Sequence, residues 1–414
     1  MLKVFLKTYG CQMNDRDSEL VMGLLLQHGY TPAQSAAEAD VILFNTCAVR
    51  QKAEDKVWSE IGRMKQWKYP KGENKRNAAS HSAAEGEKRL SGVQRKIIGI
   101  IGCMAEHYGE KAFLKAPVLD LVVGPNNITD LPLLLERVAA ELGPQHATGK
   151  AKREDSIYAV EYGGVEGHAN VIIMEGCDNF CAYCIVPHVR GRERSRAADD
   201  IIREIKGLAA AGIRQVTLLG QNVNSYRGTR NEGRETKDDG RKTKDEGRIV
   251  NFVDLLRAVN DIAGLEVFDF VTSHPKDASP VLFKAMAELP KCRKFLHLPV
   301  QAGSNRILQM MNRGYTREQF MELARQAREV MPQLRLTTDV MVGFPTETDE
   351  DFQDTLDLFR QVKFDAAYIF KYSVRPGTQA ASLPDDVPDD VKKQRNEILL
   401  RFQQGLHREK KRTR

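Results

Sequence analysis

Hydrophobic and polar positions in the second half of the chain follow a repeating pattern that predicts strands alternating with helices. Stretches with helical periodicity, such as DDIIREIKGLAAAG and TREQFMELARQAREVM, separate the apolar or β-branched runs. Strand–helix alternation is typical of parallel sheets. Six such units predict a (β/α)6 partial barrel. The apolar runs lie at residues 171–176, 215–222, 268–275, 294–301, 335–345 and 366–373.

The first third of the chain carries a related pattern. The apolar runs VFLKTYGC, VILFNTC and IIGIIGC each end in a cysteine, and a plausible helix follows each of them. We therefore expect an N-terminal Rossmann-like parallel-sheet domain over residues 1–150 and the barrel domain over residues 163–388. Residues 389–414 are expected to form a C-terminal linker or the start of a further domain.

Cys11, Cys47 and Cys103 share one predicted position, just after a strand. Adjacent parallel strands place their carboxyl ends along one edge, which is where open α/β sheets bind ligands. A single cysteine in such a place is more often a buried structural residue. Three cysteines with the same placement favour a common metal site.

A second group of cysteines, Cys177, Cys181 and Cys184, lies within the sequence EGCDNFCAYCIVPHVRGRER. The residues between them have the composition of a loop, which argues against simple packing in a core. Structural zinc takes four ligands, and His188 is a poor fourth candidate because it follows a proline. An iron–sulfur cube held by three cysteines keeps one iron open for a substrate. Cys292 lies at the start of a predicted strand, so we interpret it as a non-ligand.

Length and charge limit the possible classes of protein only loosely. The chain has 414 residues and a formal net charge of +6, which is compatible with an anionic partner without demanding one. The start MLKVFLKTYG lacks a secretory signal, and no apolar run reaches the length of a membrane span. We therefore expect a cytoplasmic protein with no membrane association, whose clustered cysteines bind metal or do redox chemistry.

Polar residues occur where the predicted barrel strands end, which is the functional edge of parallel barrels. Each one alone is an ordinary residue at the start of a loop. Their repetition over five of the six strands favours a shared pocket. The residues are Gln221, Asn222, Ser273, His274, His297, Gln301, Asp339, Tyr372 and Ser373.

The CxxxCxxC spacing, with an aromatic residue before the last cysteine, resembles the radical S-adenosylmethionine (SAM) superfamily. TYGCQMN, NTCAVR, IGCMAE, that loop and VGFP, in this order, resemble the methylthiotransferase family over nearly the whole chain. The resemblance implies two 4Fe-4S clusters, an auxiliary one on Cys11, Cys47 and Cys103 and a radical SAM one on Cys177, Cys181 and Cys184. It also implies SAM as cofactor, with contacts from Tyr183, Gln221, Asn222, Ser273, His297, Gln301, Asp339, Gly343, Tyr372 and Arg375.

Several segments, including IVPHVRGRERSR and LLGQNVNSY, look most like the bacterial branch of this family that acts on tRNA. That resemblance implies methylthiolation of carbon 2 of N(6)-dimethylallyladenosine at position 37 of tRNA, with two SAM molecules used. The implied partners are the tRNA anticodon loop, a flavodoxin-type electron donor and a source of sulfur or Fe-S clusters, and we expect a monomer. Family members usually end in a TRAM β-barrel, which we expect to be absent or truncated here.

Other functions stay open at this point. A sibling methylthiotransferase would modify threonylcarbamoyl-adenosine in tRNA or a ribosomal protein. A two-cluster electron carrier would need no substrate pocket, and a zinc-containing RNA-binding protein would hold no iron. Cleavage of SAM on reduction would exclude the electron carrier, and metal analysis would distinguish the zinc protein.

Two charged segments are expected to be disordered surface loops because they contain few residues that could form a core. One covers residues 70–92, and the other is the GR-containing repeat over residues 226–248. A third basic segment, RGRERSR at residues 190–196, adjoins the second cysteine group. We predict that it contacts phosphates, since arginine pairs with phosphate bidentately, although a solvated loop would have the same composition.

Overall fold

The computed structural model describes residues 1–49, 51–68, 96–149, 153, 155–159, 167–230 and 248–412. The chain divides into two units, Met1–Gly163 and Gly164–Arg414, which are called here the N-unit and the C-unit. Among the described residues, no helix is both long and apolar enough to cross a membrane. The segment 70–92, expected to be a disordered loop, lies outside the described residues.

The N-unit is an open parallel sheet with helices, as the sequence predicts. Its strands run in the order β2-β1-β3-β4-β5-β6, and every neighbouring pair is parallel. These strands are β1 (Lys3–Tyr9), β2 (Thr31–Pro32), β3 (Val41–Thr46), β4 (Ile97–Ile101), β5 (Leu121–Val123) and β6 (Gln145–Ala147). The helices are α1 (Gln12–Gln27), α2 (Gln51–Lys68), α3 (Cys103–Tyr108), α4 (Lys111–Lys115) and α5 (Leu131–Ala139).

Strand β3 forms the centre of the N-unit core because it is apolar on both faces. Ile42 and Phe44 pack in one cluster with Val57 and Ile61 of α2, and all four are at most 1% exposed. Leu43, on the opposite face, is also fully buried. A continuous apolar run of this kind is typical of a parallel strand covered on both sides. It fixes the three neighbouring strand ends after which Cys11, Cys47 and Cys103 lie.

The C-unit contains six parallel strands that follow one another in chain order, in two sheets of three. The first sheet has the order β13-β10-β7 and the second β14-β15-β16, and a parallel bridge between Phe268 and Cys292 lies between them. Within the described residues no pairing closes the ring between β16 and β7. The predicted (β/α)6 partial barrel is therefore confirmed as an open arrangement.

The bounds of the C-unit elements agree closely with the predicted runs. The strands are β7 (His168–Ile172), β8 (Met174–Glu175), β9 (Arg194–Ser195), β10 (Gln215–Leu219), β11 (Arg227–Arg230), β12 (Arg248–Asn251), β13 (Val267–Phe270), β14 (Phe295–His297), β15 (Arg335–Val342) and β16 (Ala366–Lys371). The helices are α6 (Val186–Val189), α7 (Ala198–Ala210), α8 (Phe252–Asn260), α9 (Pro280–Glu288), α10 (Asn305–Met310), α11 (Arg317–Val330), α12 (Asp349–Val362) and α13 (Asp389–Arg412).

The second three-stranded sheet has one buried face and one accessible face. Leu336, Val340 and Val342 of β15 are fully buried on the first face. The opposite face carries Asp339 in register with Tyr368, and Tyr368 is 59% exposed. The accessible face therefore offers polar and aromatic side chains to a ligand. Asp339 lies inside β15 and not at its end, which corrects its predicted position.

Two segments differ from their predicted structure. Residues 389–412, expected to form a linker, form the helix α13, whose Leu399 is fully buried and which packs against β16. The charged repeat, expected to be a loop from residue 226 onward, begins with β11, which pairs antiparallel with β12. Tyr226 is only 1% exposed and donates its hydroxyl to the carbonyl of Arg196 at 2.8 Å. The rest of that repeat, residues 231–247, lies outside the described residues.

Candidate functional site

The three N-unit cysteines lie together at the carboxyl edge of β1, β3 and β4. Cys11 precedes α1, Cys47 directly follows β3, and Cys103 is the first residue of α3. These strands are neighbours in the sheet, and Tyr9 and Thr46, at the ends of β1 and β3, are in register. The predicted meeting of the three cysteines at one edge is thus present in the structure.

The thiols of this group are close enough to influence one another. The pKa of Cys47 is raised well above its usual value by a hydrogen bond with Cys11, by burial and by the charges of Cys11 and Cys103. Cys47 also accepts the backbone N–H of Val49 at 3.2 Å. Cys47 is therefore protonated when no metal is bound, and a metal would have to displace its proton to bind there.

A buried pair of amide side chains, Asn14 and Asn45, supports this cysteine group. Asn14 donates to Asn45 Oδ1 at 3.1 Å, and Asn45 donates to the Asn14 carbonyl at 2.8 Å and to Ser18 Oγ at 2.9 Å. Asn14 Oδ1 also accepts from the Cys11 backbone N–H at 3.4 Å. Both asparagines are fully buried. The network ties the start of α1 to the end of β3, and the sequence analysis missed it.

Two glycines allow the backbone to approach this amide pair closely. A side chain at Gly102 would place its Cβ 2.3 Å from Asn45 Oδ1, and Gly102 has a φ of +83°. A side chain at Gly10 would lie 2.5 Å from Asn14 Oδ1 and 2.8 Å from Cys47 Cβ. No L-residue with a side chain fits at either distance, so glycine is required in front of both Cys11 and Cys103.

The C-unit cysteines lie on a turn that the surrounding protein holds in place. The Cys184 N–H donates to the Cys181 carbonyl at 2.9 Å, and the Cys177 N–H donates to the Gly191 carbonyl at 3.2 Å. Burial raises the pKa of Cys177 to about 11. Burial, reinforced by Cys181, raises the pKa of Cys184 to about 12. Cys177 and Cys184 are therefore protonated when no metal is bound, and a metal would have to displace those protons.

Cys181 has two nitrogen donors beside its sulfur that the predicted site did not include. Arg313 Nη1 lies 3.3 Å from Cys181 Sγ, and His274 Nε2 lies 3.9 Å from the same atom. His274 appeared in the sequence only as a polar residue after β13. Arg313 carries no periodic signal, because it lies in the loop between α10 and α11.

The predicted SAM contacts at the ends of β10 and β13 contain buried polar atoms that fit an added ligand. Gln221 Oε1, Asn222 Oδ1 and Ser273 Oγ are buried and have no hydrogen-bond partner within the described part of the chain. Asn222 is held on its other side by Asp277, which accepts from Nδ2 at 2.8 Å. Buried polar atoms in proteins are normally paired. A polar molecule such as SAM would satisfy all three.

The second sheet brings His297, Gln301 and Asp339 together on the accessible face of β15. His297 Nε2 lies 3.4 Å from Asp339 Oδ2, and His297 Nδ1 lies 2.9 Å from Thr337 Oγ1. The Gln301 N–H donates to the Asp339 carbonyl at 2.9 Å. This group can present one carboxylate oxygen and one imidazole to a bound molecule.

The remaining predicted contacts are held partly by the protein itself. The Gly343 N–H donates to Glu347 Oε2 at 2.6 Å, and the Tyr372 hydroxyl donates to the Ala380 carbonyl at 3.1 Å. The Tyr183 hydroxyl accepts from Arg313 Nη1 at 3.3 Å. Arg375 is 6% exposed and follows β16. The contact of these four residues with SAM stays a prediction.

The seventh cysteine, Cys292, is 2% exposed and forms a parallel β-bridge with Phe268, next to the start of the second sheet. Burial raises its pKa to about 12. Its interpretation as a non-ligand stays a prediction. Within the described residues, no three His, Cys, Asp or Glu side chains form a ready-made site for a single metal ion.

Two family models match the chain, one in each unit. Residues 3–124 match "Uncharacterized protein family UPF0004", and residues 171–359 match the "Radical SAM superfamily". A relative from Moorella thermoacetica, named tRNA-2-methylthio-N(6)-dimethylallyladenosine synthase, is 42% identical over 96% of this chain and 82% of its own length. The chain belongs to the methylthiotransferase family of radical SAM enzymes. Its family therefore implies SAM and a [4Fe-4S] cluster as cofactors.

Other relatives support the same membership. Proteins of the same name from Syntrophomonas wolfei and Geobacter metallireducens are 44% and 43% identical to this methylthiotransferase. They cover 97% and 98% of this chain, and the chain covers 82% of each.

Solved structures support the fold alone. The radical S-adenosylmethionine methyltransferase TsrM from Kitasatospora setae superposes with a TM-score of 0.56 at 13% identity, covering 92% of this chain and 77% of its own. The cobalamin-dependent S-adenosylmethionine radical enzyme OxsB gives a TM-score of 0.54 at 12% identity, covering 95% of this chain and 56% of its own.

Proposed function

We propose that this methylthiotransferase adds a methylthio group to carbon 2 of N(6)-dimethylallyladenosine in tRNA. The observation that carries the proposal is the pair of thiol groups, each placed at a strand edge, in a chain 42–44% identical to relatives named for this reaction. A second candidate function has no observation in its favour.

Each thiol group would hold one [4Fe-4S] cluster, so that the chain binds two. Cys177, Cys181 and Cys184 would hold the radical SAM cluster in the domain 163–388, and the three N-unit cysteines would hold the auxiliary cluster in the domain 1–150. SAM would lie against the buried polar atoms of Gln221, Asn222 and Ser273. The bound cofactors supply radical chemistry and sulfur that side-chain acids and bases lack, because the C–H bond of an adenine ring is unreactive.

The accessible face of the second sheet offers a surface for the modified base. Tyr368 is 59% exposed and Phe370 is 37% exposed, and the two occupy alternate positions of β16 on the same face. Bases stack on such rings, and a buried dimethylallyl group would gain apolar contact with them. His297, whose ring lies 6.0 Å from that of Tyr368, adds a polar boundary to this surface.

The basic segment at residues 190–196 has only a small part available to tRNA. Arg190 and Arg196 are 6% and 5% exposed, and Arg196 pairs with Glu204 at 2.7 Å. Arg192 is largely exposed, pairs with Asp178 at 2.9 Å and lies over the ring of Phe180. We therefore expect Arg192 to contact phosphate, while Arg190 and Arg196 are structural. This narrows the prediction made from the sequence.

The remaining parts of the reaction require partners. We expect a flavodoxin-type protein to donate the electron and a separate source to supply sulfur or Fe-S clusters. We also expect the enzyme to act as a monomer in the cytoplasm on the anticodon loop of tRNA.

The test uses anaerobically reconstituted full-length protein with SAM, a reductant and sulfide. Prenylated tRNA should gain a methylthio group and stimulate deoxyadenosine formation, whereas unprenylated tRNA should do neither appreciably, because it lacks the apolar group that positions the base. The assay uses low salt, at which phosphate contacts are strongest. Equal turnover of both tRNAs would favour a sibling specificity, and modification of a ribosomal-protein peptide instead would contradict the proposal.

A further inference from the structure

Arg313 is a buried cation beside the second cysteine group. Its side chain is held from three directions within the C-unit. Nε donates to the Tyr315 hydroxyl at 3.0 Å, and Nη2 donates to the Pro299 carbonyl at 2.8 Å. Nη1 points between the Tyr183 hydroxyl and Cys181 Sγ, each at 3.3 Å. The residue is only 4% exposed, so water does not screen its charge.

The oxygen partners of Arg313 are the hydroxyls of Tyr183 and Tyr315 and the carbonyl of Pro299, and none of them is a carboxylate. No carboxylate of the described residues forms an ion pair with Arg313. The buried Arg395, by contrast, pairs with Glu347 at 2.8 Å and Asp349 at 2.7 Å. An unpaired buried charge is strongly unfavourable, so the structure around Arg313 is built for an anion it does not itself supply.

His274 approaches the same sulfur as a neutral donor. Its Nδ1 accepts the backbone N–H of Lys276 at 3.2 Å, which leaves the ring proton on Nε2, the atom facing Cys181 Sγ. Asn224 exchanges two hydrogen bonds of 3.0 Å with the His274 backbone and fixes its position.

We propose that Arg313 and His274 are positioning residues that compensate, through Cys181, the negative charge of a cluster on Cys177, Cys181 and Cys184. The two residues thereby raise the reduction potential of this cluster and help the protein to retain it. The inference rests on the proposed function, because it needs a cluster at that site. One-electron reduction adds one negative charge to the cluster, and the external reductant supplies the electron. A nearby cation and N–H donors to a ligand sulfur favour the more negative state.

The test isolates this cluster in the full-length chain by changing Cys11, Cys47 and Cys103 to Ala. The chain is titrated with dithionite at controlled potentials, and the reduced cluster is followed by its EPR signal. Arg313→Gln should lower the ratio of reduced to oxidised cluster at a fixed potential by on the order of tenfold, as expected for a charged hydrogen bond. A tenfold change equals 59 mV for a one-electron couple. Arg313→Lys, which keeps the charge, should shift the ratio less.

Two further variants separate charge from packing. His274→Leu removes a neutral donor and should shift the ratio in the same direction by a smaller factor. Arg328→Gln is the matched control, because Arg328 is half-buried in the same unit and donates to the carbonyls of Val362 and Lys363, away from the cysteines. The control should leave the midpoint potential unchanged.

Several outcomes would overturn the proposal. A role of charge would be contradicted if the Arg313→Gln variant had the same midpoint potential as the parent. It would also be contradicted if the Gln and Lys variants shifted the potential equally. If the Gln variant retains no cluster, retention in the Lys variant supports the proposal, and loss in both overturns it in favour of simple packing. Absence of iron at this site in the parent would overturn the cluster assignment as well. This result would mean that the proposed function fails, whereas an iron-loaded parent with an unshifted Arg313→Gln variant would mean that only this inference fails.

Discussion

The two groups of three thiols differ in what surrounds them. In the N-unit, Asn14 and Asn45 provide neutral amides, and Gly10 and Gly102 let the backbone approach these amides closely. The charges that act on Cys47 are those of the other two cysteines. In the C-unit, a buried guanidinium and an imidazole donate to Cys181. The same ligand type is therefore combined with different electrostatic environments.

Under the proposed function, this difference corresponds to two different tasks. A cluster that must accept an electron and pass it to SAM benefits from a neighbouring cation, which stabilises its reduced and more negative form. A cluster that carries sulfur requires a fixed position more than a particular potential. A neutral hydrogen-bond network that ties a helix start to a strand end provides such a position. The predictions below test this distinction.

The largest expected effect is on iron content. The reconstituted protein should hold about eight irons per chain, four per cluster. Replacing either cysteine group by Ala should remove about half of them, as measured by iron and sulfide analysis. Cys292→Ala is the matched control and should change nothing. A loss of all iron or of none after either triple replacement would contradict two separate sites.

The next largest effect concerns the amide pair. Asn45→Leu removes three hydrogen bonds, including the one that Asn14 Nδ2 donates, which should cost about 1–3 kcal/mol of stability. Iron retention should fall at the N-unit site only, so the EPR signal of the C-unit cluster should stay. Asn305→Leu, at an exposed position, is the control. Equal loss from both sites would mean that the amide pair does not act locally.

A smaller effect is expected from crowding at the same place. Gly102→Ala combines a positive φ with a clash against Asn45 Oδ1. Gly29→Ala has a similar φ of +81° but meets nothing within 4 Å, so it reports backbone strain alone. We expect Gly102→Ala to lower the thermal midpoint and the N-unit iron content more than Gly29→Ala. Indistinguishable variants would show that the site tolerates movement of the amides.

No effect on either cluster is expected from the charged repeat. Residues 231–247 can be replaced by a short Gly/Ser linker that leaves β11 and β12 in place. Iron content and SAM cleavage should then equal those of the full chain. A large fall in either would show that the repeat contributes to the C-unit site.

The sequence was sufficient to predict that the N-unit cysteines lie together, because each of them follows an apolar run that forms a strand. The grouping of the C-unit cysteines follows directly from their closeness in the chain. It did not reveal Asn14 and Asn45, since their pairing depends on how α1 meets β3. Arg313 was missed for the same reason, because its contact with Cys181 joins residues 132 positions apart.

The helix α13 shows how a helical signal can be hidden. Its buried positions include Lys392, Arg395, Leu399, Gln403 and Leu406, which follow helical spacing. Three of these five residues are charged or polar, so the segment carries little hydrophobic periodicity from which a helix could be predicted. Arg395 and Lys392 are buried there because carboxylates of the C-unit pair with them, and tertiary contacts of this kind leave no local pattern in the sequence.

The most direct test of the central claim is mass analysis of tRNA nucleosides from cells that lack the enzyme, complemented with the protein or its variants. The intact chain should restore the methylthio derivative of N(6)-dimethylallyladenosine, and either triple cysteine variant should leave the prenylated nucleoside without its methylthio group. Restoration by a triple variant, or unchanged nucleosides with the intact and cluster-loaded chain, would contradict the account.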